Sequence, residues 1–154
     1  MENTKLNKDT TFLRKMTIDD IETLRHNKNK NKKYFFNQEE ITYEKQLNWY
    51  HYMQETNDNF MFICIDKNNE SFGCIGFRKL ENVVDVYNVM RFKQSEISMS
   101  ECMHQVIQEI KKKYSELPIQ VLVLKNNPAI DWYKKNGFTL TEQSDNFVKM
   151  ILEK

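Results

Sequence analysis

Tyr133 is the side chain whose type and placement most plainly offer chemistry. It lies in the stretch Asn127-Pro128-Ala129-Ile130-Asp131-Trp132-Tyr133-Lys134-Lys135-Asn136-Gly137-Phe138, after the apolar run Ile119 to Leu124. A phenol carries one O–H with an ordinary pKa of about 10, so a tyrosine held at one place can give a hydrogen bond or a proton. Asn127 suits a helix N-cap, because its side-chain oxygen accepts from free first-turn amides. Pro128 suits the first helical position, where its missing N–H is no loss. Gly137 suits the left-handed residue that ends a helix. The spacing predicts strand, short capped helix, glycine stop and strand, with Ala129, Trp132, Tyr133 and Asn136 on one helix face. The same pattern also describes a plain amphipathic helix on which Trp132 and Tyr133 only pack.

The elements that must position this tyrosine follow from periodicity and breaks. Thr11 to Met16 reads as a strand. Thr17, with Asp20 three positions on, reads as a helix start, and Ile18, Ile21 and Leu24 follow at helical spacing. Residues 27 to 38 read as a polar linker carrying the aromatic cluster Tyr34-Phe35-Phe36. Thr42 caps a second helix whose apolar face includes Leu47, Tyr50 and Met53. Three strands come next: Phe60 to Ile65, Ser71 to Lys79 and Val83 to Met90. Gly73 and Gly76 mark a bulge or a close backbone approach in the middle one. Ile97 to Tyr114 is a helix with the stripe Met99, Met103, Val106, Ile110 and Tyr114. Strand Ile119 to Leu124, the tyrosine helix, and strands Phe138 to Glu142 and Phe147 to Leu152 complete the chain. This order predicts an α/β fold, a single mixed, mostly antiparallel sheet flanked by helices. Val83 to Leu124 should be a right-handed crossover with parallel strands.

At 154 residues the chain reads as one domain, with residues 1–10 loose. Charged residues make up 29%, yet the net charge is only +1, so no overall field points to nucleic acid or a membrane surface. The Lys-Asn run from Asn27 to Lys33 is the exception, either a phosphate-binding patch or a solvated loop. Cys64, Cys74 and Cys102 lack metal-site spacing and read as buried, reduced thiols. His26, His51 and His104 form no ligand pattern, so no metal is expected. With no signal-like apolar start and no bilayer-length run, the expectation is a soluble cytoplasmic protein.

In this order of elements, the pattern Asn127-x-Ala129-x-x-x-Tyr133-x-x-x-Gly137-Phe138 resembles the C-terminal motif of the GNAT family of N-acetyltransferases. Nearly the whole chain can be laid on that family's order of strands and helices. The resemblance implies the GNAT-like acyl-CoA N-acyltransferase fold and transfer of an acetyl group from acetyl-CoA to a primary amine. A small-molecule amine, and a monomer or homodimer, are the partners it suggests. It places Tyr133 near the thioester sulfur as general acid. It also implies that Val83 to Met90 and Ile119 to Leu124 splay apart to admit the pantetheine arm, with the Val89 amide polarising the carbonyl. Asp85 falls near the place of an acid that draws the amine's proton through water, and it reads equally as a turn-proximal surface residue. Period two puts Asp85, Tyr87 and Val89 on one face. Asn88 either orients substrate or points outward.

The phosphate site departs from the family pattern. The register gives Gln94-Ser95-Glu96-Ile97-Ser98-Met99, with Ile97 and Met99 where small residues belong. A β-carbon there restricts the backbone and the approach of phosphate to helix-start amides. The remaining cofactor candidates are the amides of this stretch with Arg91, Lys93, Gln94, Ser95, Ser98, Ser100 and Asn127. Leu24 to Asn27 and Glu39 to Trp49 look like the first two helices of members acting on sugar-nucleotide amines or ribosomal-protein N-termini. Arg25, Glu39, Trp49, Tyr87 and Asn88 are therefore the acceptor candidates. An amino sugar on a nucleotide carrier leads, and a protein N-terminus or lysine follows. A GNAT-fold binding module without transfer activity and a nucleic-acid binder using residues 27–33 are the rivals from other classes.

Overall fold

A computed structural model describes residues 11–152, so the expectation for residues 1–10 lies outside the described residues. Seven strands form one sheet in the order β1-β2-β3-β4-β5-β7-β6. They are β1 (Leu13–Lys15), β2 (Asn59–Ile65), β3 (Ser71–Lys79), β4 (Val84–Arg91), β5 (Ile119–Leu124), β6 (Thr139–Gln143) and β7 (Phe147–Leu152). The helices are α1 (Ile21–Lys30), α2 (Tyr43–Glu55), α3 (Met99–Lys113) and α4 (Ile130–Lys135). β4 and β5 are parallel across the α3 crossover, and the other pairs are antiparallel. The predicted mixed sheet is thus observed, with Ser71–Lys79, Ile119–Leu124 and Phe147–Leu152 unshifted and the other strand boundaries moved by at most two residues.

Each sheet face buries its own apolar set, because strand side chains alternate between faces. On one side Phe62, Ile75, Phe77, Val84 and Val86 meet Met103, Val106 and Ile110 of α3 and Tyr133 of α4. On the other, Met61, Ile63, Cys74 and Met90 meet Leu24 of α1 and Met53 of α2. One expectation needs correction here. Residues 27 to 38 are not all linker, since α1 runs to Lys30 and a 3-10 turn covers Lys32–Tyr34. The buried Leu24 holds the helix in place, and the Asn27 amide folds back onto the Thr23 carbonyl at 2.8 Å. Packing overrides the weak helix preference of a Lys-Asn run.

β4 and β5 pair only at Val84↔Ile119, Asp85↔Gln120 and Val86↔Val121. Beyond that point β5 continues with β7 to Leu124↔Phe147, while β4 continues with β3 to Arg91↔Gly73. The sheet therefore parts in its middle. The register shift between Cys74 and Gly76 of β3, opposite Asn88 at φ 52°, lies just past the last shared pair. An extra residue there bends and twists the strand. It also overturns the period-two expectation for β4. Val89 packs with Val84 and Val86 on the α3 side, whereas Tyr87 packs with Met90 on the α1–α2 side. A one-residue slip inverts every side chain that follows it.

Candidate active site

The parting of β4 and β5 opens a cleft of about 310 Å³. Asp85 to Val89 of β4, Val121 to Val123 of β5, Asn127 and Tyr133 line it from the sheet. Lys28 of α1, Trp49 of α2 and the strap Tyr34 to Asn37 close it from the other side. A second cavity of about 260 Å³ shares Val89, Asn127 and Tyr133 and adds Arg91, Ala129 and Trp132. Tyr34 and Phe35 of the strap border both cavities as well.

Tyr133 is held there by its local sequence. Asn127 Oδ1 accepts from the Ala129 amide at 2.9 Å in a turn just before the regular helix, which starts at Ile130 with Ala129 as its cap, so Asn127 and Pro128 lie ahead of the cap and first helical positions expected for them. Gly137 has φ 97°, the left-handed stop its position predicts. Ser100 Oγ accepts from Trp132 Nε1 at 2.9 Å and from Asn136 Nδ2 at 3.2 Å, which docks α4 onto the start of α3. The Tyr133 ring meets Trp132 and Phe138 edge-on at 5.0 and 5.7 Å. The residue is 5% exposed. Its hydroxyl bonds to no described residue, yet the oxygen is not sealed off, so it faces the cleft. Burial, reinforced by the Asp85 charge, pushes its pKa well above the ordinary phenol value. Such a group stays protonated at neutral pH and can donate.

Asp85 is buried rather than at the surface. Its Oδ2 accepts from Arg78 Nε and its Oδ1 from Gln120 Nε2, both at 3.0 Å. The Arg78 guanidinium lies 4.3 Å over the Tyr87 ring, and the Tyr87 hydroxyl donates to Asn59 Oδ1. Burial pushes the Tyr87 hydroxyl up to about 12. Asn88 turns inward, its Oδ1 accepting from Lys28 Nζ at 2.8 Å.

At the start of α3 stand Ile97 and Met99, the bulky residues that the sequence analysis sets against the approach of phosphate. Both side chains are buried in the α3-side core, and neither residue has a positive φ that would call for glycine. Met99 packs on Gly73, where an added β-carbon would stand 2.7 Å from its sulfur and 2.7 Å from the Met90 carbonyl oxygen. The Met99 and Ser100 amides at the α3 start meet no acceptor among the described residues. Ser98 Oγ accepts from Glu101 N at 3.1 Å, and Ser95 Oγ accepts from Ile97 N at 3.0 Å. Arg91 braces this loop through the Lys93 and Ser95 carbonyls at 3.0 and 3.3 Å. Gln94 is exposed, and Lys93 pairs with Glu70 at 2.6 Å.

Of the acceptor candidates, Trp49, Tyr87 and Asn88 reach the cleft and two others do not. Arg25 binds Glu22 at 2.7 and 2.9 Å and the Ile41 carbonyl at 3.0 Å, tying α1 to the start of α2. Glu39 is exposed and lines neither cavity. Lys28, Arg78 and the aromatic strap are wall residues that the sequence reading did not select. The strap left a signal in the run Tyr34-Phe35-Phe36, and Lys28 lies in the Lys-Asn run from Asn27 to Lys33 that reads as a phosphate-binding patch or a solvated loop.

No protein-family model and no curated protein matches the chain. Solved structures do. The PaiA N-acetyltransferase of Thermoplasma acidophilum, in complex with coenzyme A, superposes with a TM-score of 0.72 at 20% identity, over 92% of this chain and 98% of that one. The spermidine N-acetyltransferase of Vibrio cholerae, in complex with CoA and spermine, gives 0.76 at 14% identity, over 92% and 94%. FdhC, a nucleotide-linked sugar GNAT, gives 0.72 at 13% identity, over 94% and 87%. Strand order and these likenesses define the class: the chain has the fold of the GNAT N-acetyltransferases, as its C-terminal motif implies.

Proposed function

We propose that the protein transfers an acetyl group from acetyl-CoA to the primary amine of a small molecule, the sheet and its helices acting as one catalytic unit. The observation that carries this reading is the Tyr133 hydroxyl, which has no hydrogen-bond partner among the described residues and lines the cleft where β4 and β5 part. On this reading the acetyl-pantetheine end of acetyl-CoA would enter the second cavity. The Met99 and Ser100 amides, with Arg91 close by, would hold its diphosphate. Bound there, the cosubstrate supplies an activated acetyl thioester.

This chain's residues then have separate tasks. The Val89 amide donates to the carbonyl oxygen as negative charge develops on it. Tyr133 gives its proton to the departing sulfur. Asp85 is the sole carboxylate among the described lining residues. Its oxygens keep lone pairs beyond those taken by Arg78 and Gln120, so a water held there draws off the amine's proton.

The acceptor side favours a ring. Tyr34, Phe35, Phe36 and Trp49 present aromatic faces to a cleft of about 310 Å³. Those walls, with the likeness to a nucleotide-linked sugar GNAT, favour an amino sugar on a nucleotide carrier over a protein amine. Calorimetry with acetyl-CoA, followed by coenzyme A release across a panel of amines, tests the reading. We expect micromolar binding and turnover on at least one amine. No binding at millimolar acetyl-CoA overturns transfer in favour of a fold-retaining binding module.

A further inference from the structure

The charges of the acceptor cleft do not balance. Its charged lining residues are Lys28, Arg78 and Asp85. Arg78 is matched, its Nε 3.0 Å from Asp85 Oδ2, and Gln120 occupies the other carboxylate oxygen. Lys28 is not matched. It stands in the last turn of α1, half-buried, and ion-pairs with no carboxylate among the described residues. Glu40, which follows the strap in sequence, pairs with Lys32 at 3.4 Å.

Two contacts aim Lys28 into the cleft. Its Nζ donates to Asn88 Oδ1 at 2.8 Å and lies 5.1 Å from the centre of the Phe35 ring. An ammonium has three N–H donors, and Asn88 uses one. Burial lowers its pKa, and the Arg78 charge adds to that effect. The group is therefore a cation short of an anion, in a site whose low dielectric strengthens any charge that arrives. Lys28 does not line the second cavity, where Arg91 and the start of α3 stand, so its charge is not spent on the donor's phosphates.

We propose that Lys28 is the receptor for an anionic group on the acceptor, which is thus a primary amine that also carries a phosphate or a carboxylate. This rests on the acetyl-transfer reading above and narrows its substrate. The same charge arrangement excludes polyamines. A second ammonium entering the cleft would meet Lys28 and Arg78, and the charge of the one carboxylate there is already paired with Arg78.

Matched amines test this. Coenzyme A release is measured with glucosamine against glucosamine 6-phosphate, with alaninamide against alanine, and with spermidine. The wild-type protein should favour the anionic member of at least one pair by roughly tenfold to a hundredfold in kcat/KM, the range of one charged hydrogen bond. A response of the sugar pair alone assigns a phosphate, and of the alanine pair alone a carboxylate. In K28M and K28Q the ratio should fall to about one, with affinity for acetyl-CoA unchanged. Equal use of both members, preference for spermidine, or a ratio that survives both substitutions overturns the proposal. If no amine is acetylated, the transfer reading fails on its own. Lys28 is then decided by titrating inorganic phosphate into protein saturated with coenzyme A. Binding that both substitutions weaken at least tenfold supports the anion site, and binding that is absent or indifferent to them overturns it.

Discussion

The two walls of the cleft are held by different forces. The donor wall is β4, β5, the start of α3 and α4, fixed by ladders and neutral hydrogen bonds such as Trp132 Nε1 to Ser100 Oγ at 2.9 Å. The acceptor wall is α1, the strap and α2, which pack on the sheet through Leu24, Met53, Trp49 and Phe35 and are joined to their surroundings by charged side chains and isolated contacts rather than by ladders. Arg14 grips Asp20 at 2.8 Å, and Arg25 grips Glu22 at 2.7 Å. The strap is pinned by Asn126 Nδ2 to the Lys33 carbonyl at 3.2 Å and by Phe36 against Phe147 at 5.5 Å. Backbone ladders tolerate little variation in geometry, whereas side-chain contacts can be replaced singly. One fold can thus keep a constant donor path while its acceptor wall changes specificity.

The sharpest way to break that division is at Tyr133, where the donor wall touches chemistry. Tyr133→Phe should slow turnover by roughly 10²- to 10⁴-fold, the usual worth of a positioned proton donor. The ring packing on Trp132 and Phe138 is kept, so acetyl-CoA affinity by calorimetry should hold. Unchanged turnover would leave Tyr133 as a packing residue and the two walls without a chemical difference.

Asp85 lies between the walls and should give the next largest effect. Asp85→Asn should lower kcat/KM roughly tenfold to a hundredfold near neutral pH. The variant's activity should also rise toward alkaline pH, because the amine must then arrive already deprotonated. Arg78→Gln separates proton transfer from simple positioning, since it frees the carboxylate without removing it. If Arg78→Gln loses as much activity as Asp85→Asn, with no alkaline shift in either, Asp85 is a positioning residue.

The same division explains what was legible. Tyr133 and Gly137 were readable because face and stop sit at fixed spacings on one short helix, while the helix start was set two residues too early, at Asn127 instead of Ala129. The sheet was readable because its strands are apolar runs with clear breaks. The shared face of Asp85, Tyr87 and Val89 was misread because a bulge at Asn88 depends on the partner strand, and period two carries no sign of it. Ile97 and Met99 stand out by type, and type alone does not show that both side chains turn into the core. Lys28 was hidden in a Lys-Asn run whose members look alike until packing orients one of them. Arg25 and Glu39 were chosen for charge, and the tertiary contacts of Arg25 spend it elsewhere.

The smallest expected effect probes the acceptor wall through its anchor. Asp20 ends the 3-10 turn Ile18–Asp20 that leads into α1, accepting from the Thr17 amide at 2.8 Å and from Arg14 at 2.8 Å through both oxygens. Burial alone would raise its pKa, but the hydrogen bonds from Arg14 and Thr17 outweigh burial and hold it below the ordinary 3.8. A carboxyl with a lowered folded pKa stabilises the fold at neutral pH. That contribution fades only as pH falls below 3.8 and through the lowered value. Asp20→Asn should therefore cost about 1 kcal/mol at pH 7, since Arg14 is partly exposed and its pairing is screened. Urea melts should show that gap narrowing as the pH drops toward 2, because the wild-type carboxyl is then protonated too. Acid should also loosen amide exchange in α1 before it does in β5 and α4, whose holds carry no titrating partner of this kind. Equal acid sensitivity in both walls would show that they are one cooperative unit and that their different construction has no energetic consequence.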